Sequence, residues 1–240
     1  MPDSKSGAPK RPRSPVEYIF LSERLQLPRI YPIIDATQFS RGAHPLENLL
    51  HFAEELIKSG ATLIQYRDKS QDVRRALNWA RELQRVTGQR TRLIINDRAD
   101  LCLAAGADGV HLGQDDLSAA AVRRIFDAVL QHSAPCHALR IGVSTHNLTQ
   151  LREADQMPVD YVAIGPVFTT NAKINPDPVV GLDGVRQARA ATSKPLVAIG
   201  GINRRNCKEV IDAGADSVAV ISDLLESPGK AFEEFLSVLG

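Results

Sequence analysis

The chain has 240 residues, of which 43% are hydrophobic and 24% charged, and its formal net charge is +1. That mix is ordinary for a globular protein with a sizeable core, and the lack of a basic excess argues against nucleic acid as the main partner. No apolar run reaches the roughly 18 residues of a membrane span, no secretory signal is legible at the start, and Cys102, Cys136 and Cys207 form neither a CxxC pair nor a disulfide framework. A soluble protein of a reducing compartment, the cytoplasm by default, is expected.

Residues 1–28 read as an extension: a tail rich in Pro, Ser, Lys and Arg, then a short helix. Ser14, Pro15 and Glu17 suit its N-cap, first-turn proline and capping-box positions, with Val16, Ile19, Phe20 and Leu27 near one face. Residues 29–240 are more regular. Short, β-branched runs recur as "RIYPIID", "TLIQYR", "RLIIN", "GVHL", "RIGV", "YVAIG", "LVAIG" and "SVAVI". Most lack polar alternation, as parallel strands covered on both faces do. Helical patterns separate them. "PLENLLHFAEELIKSG" sets Leu46, Leu49, Leu50, Ala53, Leu56 and Ile57 on one side and stops at Gly60; "DVRRALNWARELQRVTG" does so with Val73, Leu77, Ala80 and Leu83 and stops at Gly88. Strands alternating with helices indicate an α/β fold. No G-x-G-x-x-G turn follows the first strand, so a single (β/α)8 TIM barrel is expected over an open doubly wound sheet.

In such a barrel the chemistry lies where the strands end. Strand two ends in Gln65, Arg67 and Lys69, strand three in Asn96 and Asp97, and strand four leads into His111, Gln114, Asp115 and Asp116. Ser144 follows in strand five, Thr170 and Lys173 after strand six, Gly200-Gly201 after strand seven and Ser222 after strand eight. Asp97 and Asp116, on neighbouring strands, can converge on one hard cation such as Mg²⁺; each also suits the cap of the helix that follows it. Arg67, Lys69 and Lys173 face them as cations suited to phosphate, and the glycine pair sits where backbone N–H groups often receive phosphate. His111 lies within "GVHLG" and reads as a hydrogen-bonded histidine of the strand rather than a general acid–base. No histidine has zinc-ligand spacing.

Taken together, "LIQYRDK", "INDRADLCLAAGADGVHLGQDDL", "IGVSTHN", "DYVAIGPVF…T…K", "VVGLDGV" and "VAIGGI" resemble the thiamine phosphate synthase family, in order from about residue 30 to 225. The resemblance implies a Mg²⁺-dependent transferase of thiamine biosynthesis with small-molecule substrates. It would join 4-amino-5-hydroxymethyl-2-methylpyrimidine diphosphate to a thiazole phosphate, releasing pyrophosphate, and CO₂ from the carboxylated tautomer. By motif, Gln65, Arg67, Lys69, Asn96, Ser144 and Lys173 would hold the pyrimidine diphosphate, with Arg67, Lys69, Ser144 and Lys173 nearest the chemistry. Asp97 and Asp116 would bind the metal, and Thr170, Asn171, Ala172, Gly201, Ile221 and Ser222 would receive the thiazole phosphate. A homo-oligomer is left open. Two other readings share the barrel: a paralogous thiazole tautomerase, which has no use for the two carboxylates, and a non-catalytic barrel binding a phosphorylated ligand, which would not need both carboxylates and the cations together.

The sequence departs from the family pattern at one place. Thr-x-Thr-Lys is usual after strand six, and here Thr170-Asn171-Ala172-Lys173 lacks the second hydroxyl. A hydrogen bond to a charged phosphate contributes about 1.5–3 kcal/mol, so Ala172→Thr is expected to lower the KM for thiazole phosphate by about tenfold. Initial rates at varied thiazole phosphate check this, and an unchanged KM would count against it.

Overall fold

The computed structural model describes residues 26–88, 90–132, 139–170 and 177–240. Eight parallel strands close on themselves: β1 (Ile30–Asp35), β2 (Leu63–Arg67), β3 (Arg92–Asn96), β4 (Gly109–Leu112), β5 (Arg140–Thr145), β6 (Tyr161–Ile164), β7 (Leu196–Ile199) and β8 (Ser217–Val220), with β8 pairing back onto β1. Among the described residues the connecting or terminal helices are α1 (Pro45–Lys58), α2 (Val73–Thr87), α3 (Ala99–Ala105), α4 (Ala119–His132), α5 (Leu148–Asp155), α6 (Gly181–Ala191), α7 (Cys207–Asp212) and α8 (Pro228–Leu239). The expected barrel is therefore present, strand for strand.

Two apolar layers explain why the strands carry so little alternation. Side chains of one parity, such as Ile34, Ile64, Tyr66, Ile95 and Val110, pack outward against the helices. Those of the other parity, including Tyr31, Ile33, Leu63, Ile94, Tyr161 and Val197, fill the interior. The helix faces need two corrections. Phe52 joins Leu49, Ala53 and Leu56 as a buried residue of α1, and on α2 the buried set is Ala76, Trp79, Ala80, Leu83 and Thr87, while Val73 is 45% exposed. Val73 is the first residue of α2, and Trp79 further along carries Arg75, whose guanidinium lies 5.0 Å from the indole centroid. Most of the helix expected before the barrel, including Ser14, Pro15, Val16, Glu17, Ile19 and Phe20, lies outside the described residues. Leu27 stands in an irregular segment and packs on the interior cluster instead of on a helix face.

Opposite the site, a repeated clasp joins strands in pairs. Asp108, Asp160 and Asp216 stand immediately before β4, β6 and β8. Each backbone N–H donates to the carbonyl of Leu93, Ile141 or Leu196, at 2.9, 2.7 and 2.8 Å, while each carboxylate accepts that residue's N–H at 2.8 Å. Asp160 also accepts from Arg123 at 2.6 Å and Arg140 at 2.9 Å. Removing its carboxylate leaves the Ile141 N–H and Arg140 without that acceptor, while Arg123 keeps the Leu139 and Pro158 carbonyls. Asp160→Ala is expected to lower the unfolding free energy by about 3 kcal/mol; urea denaturation measures it, and a loss below about 1 kcal/mol contradicts the clasp.

Candidate active site

One cavity opens at the C-terminal ends of the strands. Gln65 and Arg67 of β2, Asn96 of β3, Ser144 of β5, Thr170 after β6, Gly201 after β7, and Ile221 and Ser222 after β8 all line it. Lys69, Asp97 and Asp116 do not line it; they form a charged cluster beside Asn96. Asn171, Ala172 and Lys173 lie outside the described residues. Asp115 is exposed, and Gln114 donates to the Ser144 carbonyl at 2.5 Å, bracing β5.

The cations are held by carboxylates. Arg67 Nη1 donates to Asp35 Oδ2 at the end of β1, and the other Asp35 oxygen accepts from Thr37 N at 3.0 Å and Thr37 Oγ1 at 2.7 Å. Asp35 is buried, so it fixes Arg67 from below and leaves the rest of the guanidinium fork to the cavity. Lys69 Nζ pairs with Asp97 Oδ2 at 2.5 Å. Asp97 has φ 63°, the sole positive value outside glycine among the described residues, and its N–H donates to the His111 carbonyl at 2.7 Å. Aspartate tolerates this left-handed backbone better than most residues, and such strain gathers at functional sites.

Neither carboxylate caps a helix. Arg98 occupies the N-cap of α3, and Ser118 Oγ accepts the Ala121 N–H in the first turn of α4. Asp116 instead accepts the Gly113 N–H at 2.7 Å. Its carboxyl is pushed above the usual range, by burial first and further by the Asp97 carboxylate in hydrogen-bonding contact with it, against the opposing Gly113 bond. Two touching carboxylates repel unless positive charge lies between them. Among the described residues no group of three or more His, Cys, Asp or Glu gathers to cage a metal. The pair therefore fits a hard cation that keeps water or phosphate oxygens as its remaining ligands, the usual manner of Mg²⁺. Asn96 adds a buried Nδ2 with no partner among the described residues, a donor available to such an anion.

His111 is the hydrogen-bonded strand residue expected. Its Nε2 lies 2.8 Å from Ser144 Oγ and its Nδ1 3.0 Å from the Tyr161 hydroxyl. Burial lowers its pKa to about 4, so the imidazole is neutral over the ordinary pH range. It nonetheless lines the cavity, as do Tyr31, His146 and Asp177, which the strand-end pattern does not pick out. His146 Nδ1 lies 2.7 Å from the Gly165 carbonyl and 3.4 Å from the Asp177 carboxylate. Asp35 is a further addition, although as the last residue of β1 it obeys the rule that found the others.

The glycine pair shapes the opposite wall. Gly200 and Gly201 have φ of 101° and 65°, which only glycine adopts without strain. A Cβ on Gly200 would stand 2.5 Å from Pro166 Cβ, and one on Gly201 2.6 Å from the Thr169 carbonyl oxygen. Val167 and Phe168 donate to the carbonyls of Ile199 and Gly200 at 2.9 and 3.0 Å, so the segment after β6 is laced onto the end of β7.

A closed parallel barrel with charges of both signs gathered around one cavity at its C-terminal face defines a (β/α)8-barrel enzyme. Residues 30–224 match the family model described as thiamine monophosphate synthase. A thiamine-phosphate synthase of Koribacter versatilis is 53% identical over 91% of this chain and 99% of its own length; one of Chloroflexus aurantiacus is 41% identical over 81% and 83%. A solved structure of thiamine phosphate pyrophosphorylase from Pyrococcus furiosus superposes with a TM-score of 0.73 at 31% identity, covering 88% of this chain and 95% of that one. The chain belongs to the thiamine monophosphate synthase family.

Gly201→Ala combines a left-handed alanine with a clash against backbone and is expected to cost about 2 kcal/mol of stability. Urea denaturation reads it, and a wild-type midpoint would show that the segment after β6 is not held against β7 as described.

Proposed function

We propose that this chain makes thiamine phosphate from 4-amino-5-hydroxymethyl-2-methylpyrimidine diphosphate and a thiazole phosphate, with Mg²⁺ held by Asp97 and Asp116. The observation that carries the reading is the charge arrangement beside one cavity: two carboxylates in contact, with Lys69 and the anchored Arg67 next to them. A diphosphate, dense in negative charge, satisfies both halves of that arrangement. The family membership supports the same conclusion.

In this reading the C–O bond between the pyrimidine methylene and the diphosphate breaks, and pyrophosphate departs with the electron pair. The electron-rich aminopyrimidine stabilises the carbon left behind, and the thiazole ring nitrogen supplies the pair that forms the new C–N bond. With the carboxylated thiazole, CO₂ is lost as well. No protein nucleophile is required. Catalysis is positioning and stabilisation of charge on the leaving group. Bound Mg²⁺ supplies Lewis-acid neutralisation of the departing diphosphate. Arg67, oriented by Asp35, offers a planar fork to its oxygens, Asn96 Nδ2 adds a neutral donor, and Lys69 and Lys173 add point charges. Gln65 and Ser144 hold the pyrimidine. Thr170, the Gly201 backbone and the Ile221-Ser222 pair receive the thiazole phosphate on the far wall.

The test is formation of thiamine phosphate from the two purified substrates with added MgCl₂. Turnover is expected to vanish in EDTA and to fall at least about 100-fold in Asp97→Asn. Full turnover in EDTA would overturn the metal assignment, and no product from either thiazole tautomer would overturn the synthase reading.

A further inference from the structure

Beneath the charged groups, the barrel interior holds a string of polar side chains that the proposed chemistry leaves unexplained. Gln65 Nε2 donates to the Tyr31 hydroxyl at 3.2 Å. The hydroxyls of Tyr31 and Tyr161 lie 3.0 Å apart, Tyr161 OH lies 3.0 Å from His111 Nδ1, and His111 Nε2 lies 2.8 Å from Ser144 Oγ. These residues come from β2, β1, β6, β4 and β5, so the string crosses the barrel. Its two ends, Gln65 and Ser144, both line the cavity. Tyr161 does not line it and is 1% exposed.

Proton counting gives the string a direction. Each phenol has one proton to donate, and a neutral imidazole has one N–H. With the Gln65 amide donating to Tyr31, the Tyr31 proton has Tyr161 as its one other partner among the described residues. The Tyr161 proton then goes to His111 Nδ1, which places the imidazole proton on Nε2, donating to Ser144 Oγ. Left over for the cavity are the carbonyl oxygen of Gln65, an acceptor absent if the string ran the other way, the second N–H of that amide, and the hydroxyl proton of Ser144, a donor. Reversing the string would exchange these roles. A broken string would strand a buried phenol proton, which is costly.

The centre of the string is built to stay in place. The Tyr161 ring stacks on His111 with centroids 5.5 Å apart at 27°, and meets the Tyr31 ring edge-on at 6.1 Å and 72°. Gly142 is its register partner on β5, and a Cβ there would stand 2.0 Å from Tyr161 Cζ. The absent side chain at position 142 is thus the space that admits the ring.

We infer that Tyr161 is a positioning residue of the pyrimidine half-site: through Tyr31 and His111 it fixes the direction of the string, so that Gln65 presents an acceptor and Ser144 a donor. This rests on the synthase reading for the ligand alone. An aminopyrimidine, with its exocyclic N–H donor and ring-nitrogen acceptor, is complementary to that pair of ends.

Two measurements test it. In ligand-free wild-type protein labelled with ¹⁵N-histidine, the His111 resonances, assigned with His111→Asn, are expected to show one neutral tautomer protonated at Nε2. Protonation at Nδ1 would mean the reverse direction and overturn the inference. In steady-state assays, Tyr161→Phe and Tyr31→Phe, which keep the rings, are each expected to lower kcat/KM for the pyrimidine diphosphate about tenfold. The KM for thiazole phosphate should not change, and the double variant should be little worse than either single one, because both cut one string. Unchanged kcat/KM, additive losses, or equal losses toward both substrates with a lowered Tm would overturn it. A wild-type protein that makes no thiamine phosphate would instead refute the synthase reading, while the tautomer measurement would still decide the string.

Discussion

Closure of eight short parallel strands is the constraint that shapes everything else in the molecule. Once β8 pairs with β1, every second side chain faces the axis and must either fill the interior or find a polar partner there. The lower interior meets this with apolar bulk, Ile33, Leu63, Ile94 and Val197. Toward the strand ends the same columns continue into Gln65 and Arg67, into Asn96, and from Gly142 into Ser144. The cavity is thus the upper part of the barrel interior, and its polarity results from a change of residue type along each column.

Placing charge at the top of that interior requires neutralisation before any ligand arrives. Arg67 is held by Asp35, and Lys69 by Asp97. The Arg67–Asp35 pair is well covered, with side chains 20% and 7% exposed, whereas Lys69 is 50% exposed. The buried pair is therefore the more rigid element, and the lysine is the one that can change partner as an anion or cation enters. Asp116 is pushed above the usual carboxyl range by burial and by Asp97, the direction expected of two carboxylates held close together.

Much of this is legible in the sequence because parallel barrels impose a simple rule of place. The eight β-branched runs locate the strands, and the residues at the ends of most of them supply much of the cavity wall. The rule fails where side-chain direction matters. Asp35 closes the first run just as Arg67 and Asn96 close the second and third, so the rule reaches its place, but not its role: only the structure shows its side chain turned to Arg67. Tyr31 and Tyr161 sit within apolar-looking runs, and with both faces of a strand buried no polarity marks which residues turn inward. The face of α2 departs from expectation at Val73, the first residue of the helix, where periodicity alone does not show whether the end of a helix reaches the core.

The capping alternatives show how three-dimensional placement decides between two readings that sequence treats alike. An aspartate before a helix suits a cap on pattern alone. Here Arg98 and Ser118 stand in the cap positions, which releases Asp97 and Asp116 from that duty. The two carboxylates are then held by different means: Asp97 by a left-handed backbone tied to the His111 carbonyl, and Asp116 by the hydrogen bond that its side chain accepts from Gly113 N–H. His111 is the point at which this frame meets the interior string, because its carbonyl anchors Asp97 while its ring bridges Tyr161 and Ser144. A shift of β4 would therefore disturb the carboxylate pair and the hydrogen-bonded string together, which couples the charged cluster to the neutral half of the same cavity through one residue.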